Sequence, residues 1–183
     1  MSDRLWILLD ANGFVAGQPI TAGSTPSASG DNPAGLVEVE VERHGDLQFE
    51  EWNGRGWVPI LEHHRVVRKI EAEAMRDVRI AAGCMTPSGR VDSDQASRDL
   101  ISGSALMATI AKAGGSPFAV TWRLQDNSYV TLDADGMIGM GVAVGAHVSA
   151  CYAASFATKD TLDEAVSLAA IQAVDIAAGY PAG

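Results

Sequence analysis

The hydrophobic pattern of the chain changes its period near residue 60, and this change divides the sequence into two parts. Before residue 60, short apolar runs alternate with polar residues, as in 36–41, which has the period of two that a half-buried strand shows. Beyond it, apolar residues recur with the spacing of one helix face. We therefore predict an α+β protein, with a small antiparallel β module over 1–60 and, over 61–183, a helical domain with an inserted β-hairpin.

Turn residues predict the hairpins of the N-terminal module. Asn12-Gly13 follows the apolar run 5–9, and Asn53-Gly54 separates two short aromatic segments; both dipeptides tolerate the positive φ that tight turns need. Segment 17–35 is rich in Gly, Pro, Ser and Thr and offers little to bury, so we predict a flexible arm there. Five aromatic residues are expected to form the core of this small sheet, namely Trp6, Phe14, Phe49, Trp52 and Trp57.

The second part is predicted to contain two helices, a hairpin and a long helical region. The first helix covers about 59–82 and ends before Gly83, which suits a left-handed C-cap, and the second runs from Asp92–Asp94 to Gly114. Segments 118–124 and 129–132 form the hairpin. After it, Asp133 caps a helical region over 134–178, with a break near 158–160.

An apolar stripe runs along the first of these helices. Its members recur at seven residues, with two more beside them: Ile60, Val67, Ala74 and Ala81, then Ile70 and Val78. Such a stripe suits either the seam of a coiled coil or packing on a sheet. Because it extends over only three heptads, we favour packing on the sheet.

Charge and composition narrow the class of protein. An apolar content of 47% and a charged content of 20% predict a globular chain with a real core. The net charge of −10 argues against nucleic acid, whose phosphates need clustered Lys and Arg. The basic residues of the first helix alternate with acidic ones, so we interpret them as a salt-bridged face.

The cysteines and the apolar runs bear on the compartment. Cys84 and Cys151 form no CxxC pair, and we favour two buried free thiols over a disulfide. The apolar stretch 137–157 is interrupted by Gly, His, Ser and Tyr, so we expect no membrane span. The first residues show no targeting pattern, and we expect folding in a bacterial cytoplasm.

Candidate chemistry is sparse. His147 and Cys151 lie four residues apart on one face of a predicted helix, the geometry of half a metal site or of a Cys-His pair. No carboxylate stands beside them at a metal-motif spacing, so we favour a histidine that faces a partner or the core. No hydrolase, zinc-protease or phosphate-loop motif occurs. We expect no enzymatic activity, no catalytic residue, no cofactor and no bound metal.

Several short motifs of the second part, taken together, resemble a known family. They comprise 79–83, 92–94, 122–127 and 130–132, followed by His147, Tyr152, Lys159, Leu162 and 179–181. Over about 65–181 the chain is similar to a phage-associated domain of unknown function, found near the C-terminus of small proteins encoded beside tail-fibre genes. Its glycine-rich segment 137–145 departs from the leucine-rich stretch of that family.

The resemblance implies a phage-tail or baseplate context without an assigned activity. We expect a virion structural protein that docks on tail or tail-fibre subunits, forms a homo-oligomer, and is assembled in the host cytoplasm. The alternative is a tail-fibre assembly chaperone that leaves before the particle is complete. The expected docking residues are Trp6, Phe14, Trp52, Trp57, Ile60 and Val67. Trp52 and Trp57 would stack on sugars if exposed, but we favour their burial in the sheet.

Overall fold

The change of period near residue 60 corresponds to a change of architecture. The computed structural model describes residues 4–22, 24–26, 30–32, 34 and 36–181. They form two units: the first extends to Arg65 and includes Val166–Leu168, and the second comprises Val66–Ala165 and continues from Ala169. Short antiparallel strands make up most of the first unit and helices most of the second, so the predicted α+β class is confirmed.

The first unit is built on a three-stranded antiparallel sheet. Its strands are β1 (Arg4–Leu9), β2 (Ile20–Ala22) and β3 (Val37–Val41), in the order β2-β1-β3. Strand β1 is central because it carries the longest apolar run, and Ile7 in its middle is fully buried. The alternating segment pairs with it in register, with Leu5 opposite Val41 and Leu9 opposite Val37.

The turn after β1 follows the predicted chemistry. The Asp10 carboxylate accepts hydrogen bonds from the backbone N–H groups of Asn12 and Phe14, and Gly13 has a φ of +83°. The returning chain forms a single bridge, between Leu9 and Val15, instead of a full strand.

The flexible arm predicted over 17–35 is wrong for part of that segment. Ile20–Ala22 form strand β2, which pairs with Arg4–Trp6. Asn32 is buried, and its side-chain amide bonds to both the N–H and the C=O of Leu36. The chain is held here by the backbone hydrogen bonds of β2 and by the side-chain amide of Asn32, although the segment has few apolar side chains that could be buried. Residues 23, 27–29, 33 and 35 lie outside the described part.

A second hairpin completes the first unit. Strands β4 (Glu50–Trp52) and β5 (Trp57–Pro59) flank the predicted turn, and Gly54 has a φ of +92°. Trp52 and Trp57 are cross-strand partners with their ring centroids 5.7 Å apart in an edge-to-face arrangement.

The first helix, α1 (Leu61–Ala81), leads to a short hairpin that is not among the predicted strands. Gly83 has a φ of +92° just after the helix end, which agrees with the expected left-handed residue. Strands β6 (Cys84–Thr86) and β7 (Gly89–Val91) then pair around Pro87-Ser88.

The remaining elements lie close to their predicted positions. Helix α2 (Gln95–Ala113) is capped by Asp94, and strands β8 (Val120–Arg123) and β9 (Tyr129–Leu132) form the predicted inserted hairpin. Helix α3 (Ala134–Glu164) is capped by Asp133, which accepts from the N–H of Gly136. A short helix, α4 (Leu168–Ala173), follows.

The break predicted near 158–160 is wrong, because α3 continues through these residues. Thr158 is buried, and its hydroxyl donates a hydrogen bond to the carbonyl oxygen of Ala154. Leu162, one turn later, is fully buried. The helix ends at Ala165, whose ψ of 121° leaves the helical region.

The core of the second unit forms around the N-terminal half of α3. Buried side chains from β6, β7, α2 and β9 meet one stripe of this helix, and they are Cys84, Val91, Ile101, Ala108, Leu132, Met137, Met140 and Val144. At Gly141 a Cβ would lie 2.9 Å from that of Ala105. The glycine therefore allows α2 and α3 to approach closely.

Replacement of Gly83 by alanine should destabilise the second unit by about 1–3 kcal/mol, because the backbone there has a positive φ. In addition, the new Cβ would lie 2.9 Å from the carbonyl oxygen of Val91. Gly139→Ala is the control: it adds a methyl where nothing lies within 4 Å, inside α3, and should stabilise by about 0.5–1 kcal/mol. Urea unfolding of both variants measures the difference, and equal midpoints would contradict the assigned role of Gly83.

Candidate docking surfaces

Helix α1 contacts α3 through its charged face. Lys69 Nζ lies 2.6 Å from Asp163 Oδ1, and Lys159 forms an ion pair with Glu73 one turn further along. Lysine and carboxylate alternate between the two helices, so each charge has a partner on the other helix. The pKa of Glu73 is lowered, first by its hydrogen bond from Lys159.

The contact continues toward the C-terminal end of α1. The guanidinium of Arg76 lies 4.7 Å from the centroid of the Tyr152 ring, and His147 Nε2 lies 3.1 Å from the carbonyl oxygen of Arg79. The hydroxyl of Tyr180 donates to the carbonyl of Ala72, which is fully buried. This face of α1 is therefore held by ion pairs, a cation–π contact and hydrogen bonds, together with the buried side chains of Ala72 and Ile80.

Ala72 and Ile80 of α1 are buried, but several of its other apolar side chains point outward. Val67, Ile70 and Val78 are exposed to 37%, 59% and 63%. With Val66 and Ala74, which are also exposed, they form what we call the α1 stripe. The prediction that this stripe packs on a sheet is wrong: periodicity located the stripe, but the opposite, charged face is the one that meets the rest of the unit.

His147 and Cys151 do come together, in the interior. Both are buried, and Cys151 Sγ lies 3.8 Å from His147 Nε2. The same nitrogen lies within hydrogen-bond distance of the Arg79 carbonyl, which only accepts, so Nε2 carries the proton and is not free to take one from the thiol. Over the described ranges, no group of three His, Cys, Asp or Glu side chains could hold a metal ion.

The residues predicted to dock on a partner differ in their exposure and belong to different units of the chain. Trp6 is buried, so it is not presented to a partner, whereas Phe14 is exposed to 65%. Trp52, Trp57 and Ile60 are half-buried. These five belong to the first unit, while Val67 belongs to the second and lies on the α1 stripe.

The environment of Trp57 restricts its use as a sugar platform. Its indole N–H donates to the carbonyl of Arg43, 3.0 Å away. A Cβ on Gly45 would lie 2.2 Å from the ring, so the backbone of Gly45 covers the ring closely. This favours the structural role that the sequence suggested for Trp57.

Helix α2 presents a second apolar surface that the sequence reasoning did not single out. Its exposed large side chains are Leu100, Leu106, Met107 and Ile110. A groove of about 480 Å³ lies between this helix and the start of β8, lined by Leu100, Gly103, Met107, Phe118 and Val120 among others. The sequence signal was available, since Leu100 and Met107 are seven residues apart.

Helix α3 has an exposed side as well. By length and composition alone it is apolar enough to cross a membrane, a criterion that the core helix of a soluble protein also meets. One face of α3 carries nine buried residues. Val142 and Phe156 are exposed on the other side.

Both cysteines should resist thiol reagents in the folded protein. Burial raises the pKa of the Cys84 and Cys151 thiols, so little thiolate forms at pH 8, and the side chains are inaccessible. Labelling with an aromatic disulfide should be slow at pH 8 and should reach two thiols per chain in 6 M guanidinium chloride. Rapid labelling of native Cys151 would point instead to an accessible nucleophile.

Comparison with known proteins identifies the family. The family described as a domain of unknown function (DUF4376) matches residues 63–178. This is more than half of the chain, which therefore belongs to that family; the match begins at the start of α1 and leaves the strands of the first unit outside. No curated protein and no solved structure matches the chain.

Proposed function

We propose that this member of the DUF4376 family is a phage virion protein, associated with the tail fibre or baseplate, that acts by docking on other protein subunits. The observation that supports the proposal most directly is the outward orientation of the α1 stripe. A helix with one apolar and one charged face normally buries the apolar face. Here the charged face contacts α3 within the unit, and the apolar face remains exposed.

The energetics favour a partner on the stripe. Full burial of a valine or isoleucine side chain is worth about 1.5–3 kcal/mol, and an exposed row of them forgoes this gain. Val67 and Ala74 are seven residues apart with Ile70 between them, the spacing at which a second helix can pack along the first. The stripe therefore suits a helix of a neighbouring subunit, either a second copy or a tail protein.

The family description assigns no activity. The phage context is therefore supported by the resemblance of the second part to the tail-associated domain. The chemistry supports a binding role over a catalytic one. The His147–Cys151 pair is enclosed and its shared nitrogen is engaged by a carbonyl oxygen.

Purified phage particles should contain the protein at a fixed copy number relative to the major tail proteins. Quantitative mass spectrometry of particles and of the infected lysate makes the measurement. If the protein is abundant in the lysate and absent from particles, the assembly chaperone replaces the virion component.

Ile70→Glu should reduce incorporation into particles, or self-association of the pure protein, at least about tenfold, because it places a charge where apolar surface would be buried. The folded monomer should keep its melting temperature, since this side chain is exposed. Val142→Glu is the matched control: an equally exposed apolar residue on α3, outside the stripe, is changed in the same way. Equal behaviour of the two variants in analytical ultracentrifugation and in particle incorporation would argue against the α1 stripe as the docking surface.

A further inference from the structure

The hairpin of β8 and β9 leaves one edge of β8 unpaired. The N–H of Leu124 bonds to the carbonyl of Ser128. In an antiparallel pair every second residue has its N–H and C=O directed toward the partner strand, so Trp122 and Val120, two and four residues before Leu124, also direct theirs toward β9. The N–H and C=O groups of Thr121 and Arg123 then point to the outer edge. Within the part of the chain that the structure describes, they have no hydrogen-bond partner.

This free edge faces a groove instead of open solvent. Beside the groove between α2 and Phe118–Val120 lies a second hollow of about 250 Å³, lined by Asp92, Ser97, Leu100, Thr121, Trp122 and Arg123. Leu100 lines both hollows, so they adjoin at this side chain; together we call them the α2–β8 groove. Two residues beyond the end of β8, the N–H of Gln125 bonds to the carbonyl of Arg90 in β7.

We propose that the α2–β8 groove binds an extended peptide segment of a partner protein, which adds to β8 as an antiparallel or parallel strand. Unpaired strand edges are the structures that accept a further strand, since the backbone groups supply hydrogen bonds and the adjoining pockets select alternate side chains. Met107 and Phe118 form the apolar wall on which one set of those side chains packs. The proposal rests on the proposed function, in that the protein acts by contact with other proteins.

The charges around the groove specify the partner further. Asp92 and Asp99 lie along it, and the chain as a whole carries a net charge of −10. The positive charge of Arg123 is directed toward the turn of its own hairpin, where its guanidinium donates to Asn127 Oδ1. The segment that complements this groove is therefore one with alternating apolar side chains and lysine or arginine at its ends.

A synthetic peptide tests the backbone contact directly. The probe is a capped six-residue peptide in which valine and threonine alternate between two terminal lysines. Binding is followed by NMR, in which the amide protons of Thr121 and Arg123 should shift and exchange more slowly with solvent, because they gain carbonyl partners. Two further peptides carry N-methyl groups on one or the other alternate set of nitrogens. A strand added to an edge uses one set only, so one of the two should bind about tenfold more weakly and the other should bind as the parent does.

Paired variants locate the site on the protein. Thr121→Pro removes an outward N–H without breaking a bond to β9, and should weaken the parent peptide about tenfold. Thr131→Pro makes the same change at the residue opposite, on the other edge of the hairpin, and should leave binding unchanged. Met107→Glu should also abolish binding, whereas Leu106→Glu should not, because Leu106 is equally exposed but does not line the groove. The second pair gives an answer even if proline unfolds the hairpin.

Loss of affinity in both N-methylated peptides or in neither, or identical behaviour of Met107→Glu and Leu106→Glu, would overturn the strand-addition site. The particle measurement separates this failure from that of the proposed function. A Met107→Glu protein that is incorporated normally, while Ile70→Glu is not, leaves docking through the α1 stripe standing and removes the groove alone.

Discussion

The polar contact between α1 and α3 determines what the second unit shows to its surroundings. Lys69 with Asp163 and Glu73 with Lys159 join the two helices by charge, and Arg76 lies over the Tyr152 ring. Exposed ion pairs contribute little free energy individually, so their main effect here is orientation. With these partners on α3, α1 cannot turn its valines and isoleucine inward without separating several charges from their partners.

Helix α3 is the element that makes this arrangement possible. Its buried stripe runs from Met137 to Leu162 and serves the core at one end and the α1 contact at the other. The contacts change along the helix: Met137, Met140 and Val144 of the stripe pack among apolar neighbours, whereas His147 and the partly exposed Lys159 meet α1 with polar atoms. The polar contacts that orient α1 therefore lie toward the C-terminal half of α3, although Cys151 and Leu162 are fully buried there as well.

The features of this fold that could be predicted from sequence are those decided by local chemistry. Asp94 and Asp133 cap helices because a carboxylate satisfies free N–H groups wherever the helix lies, and Gly54 adopts a positive φ because its turn requires it. The direction of the α1 stripe could not be predicted in this way. Periodicity shows that a helix has two faces, but only the partners on α3 decide which face is covered. For the same reason, the sequence could not show that Ile20–Ala22 would find an edge on β1.

The candidate docking surfaces also divide into features that local chemistry decides and features that depend on tertiary placement. The sequence predicts Trp6 both as a core aromatic and as a docking residue, and its side chain is buried in the core. The α2–β8 groove could not be predicted from sequence, because it lies between two elements that only folding brings side by side. An unpaired strand edge has no residue signature, since every residue carries the same N–H and C=O. What distinguishes Thr121 and Arg123 is the register of their hairpin and the position of α2. The surfaces of this protein best suited to recognition thus depend on tertiary placement, and none of them needs a reactive side chain.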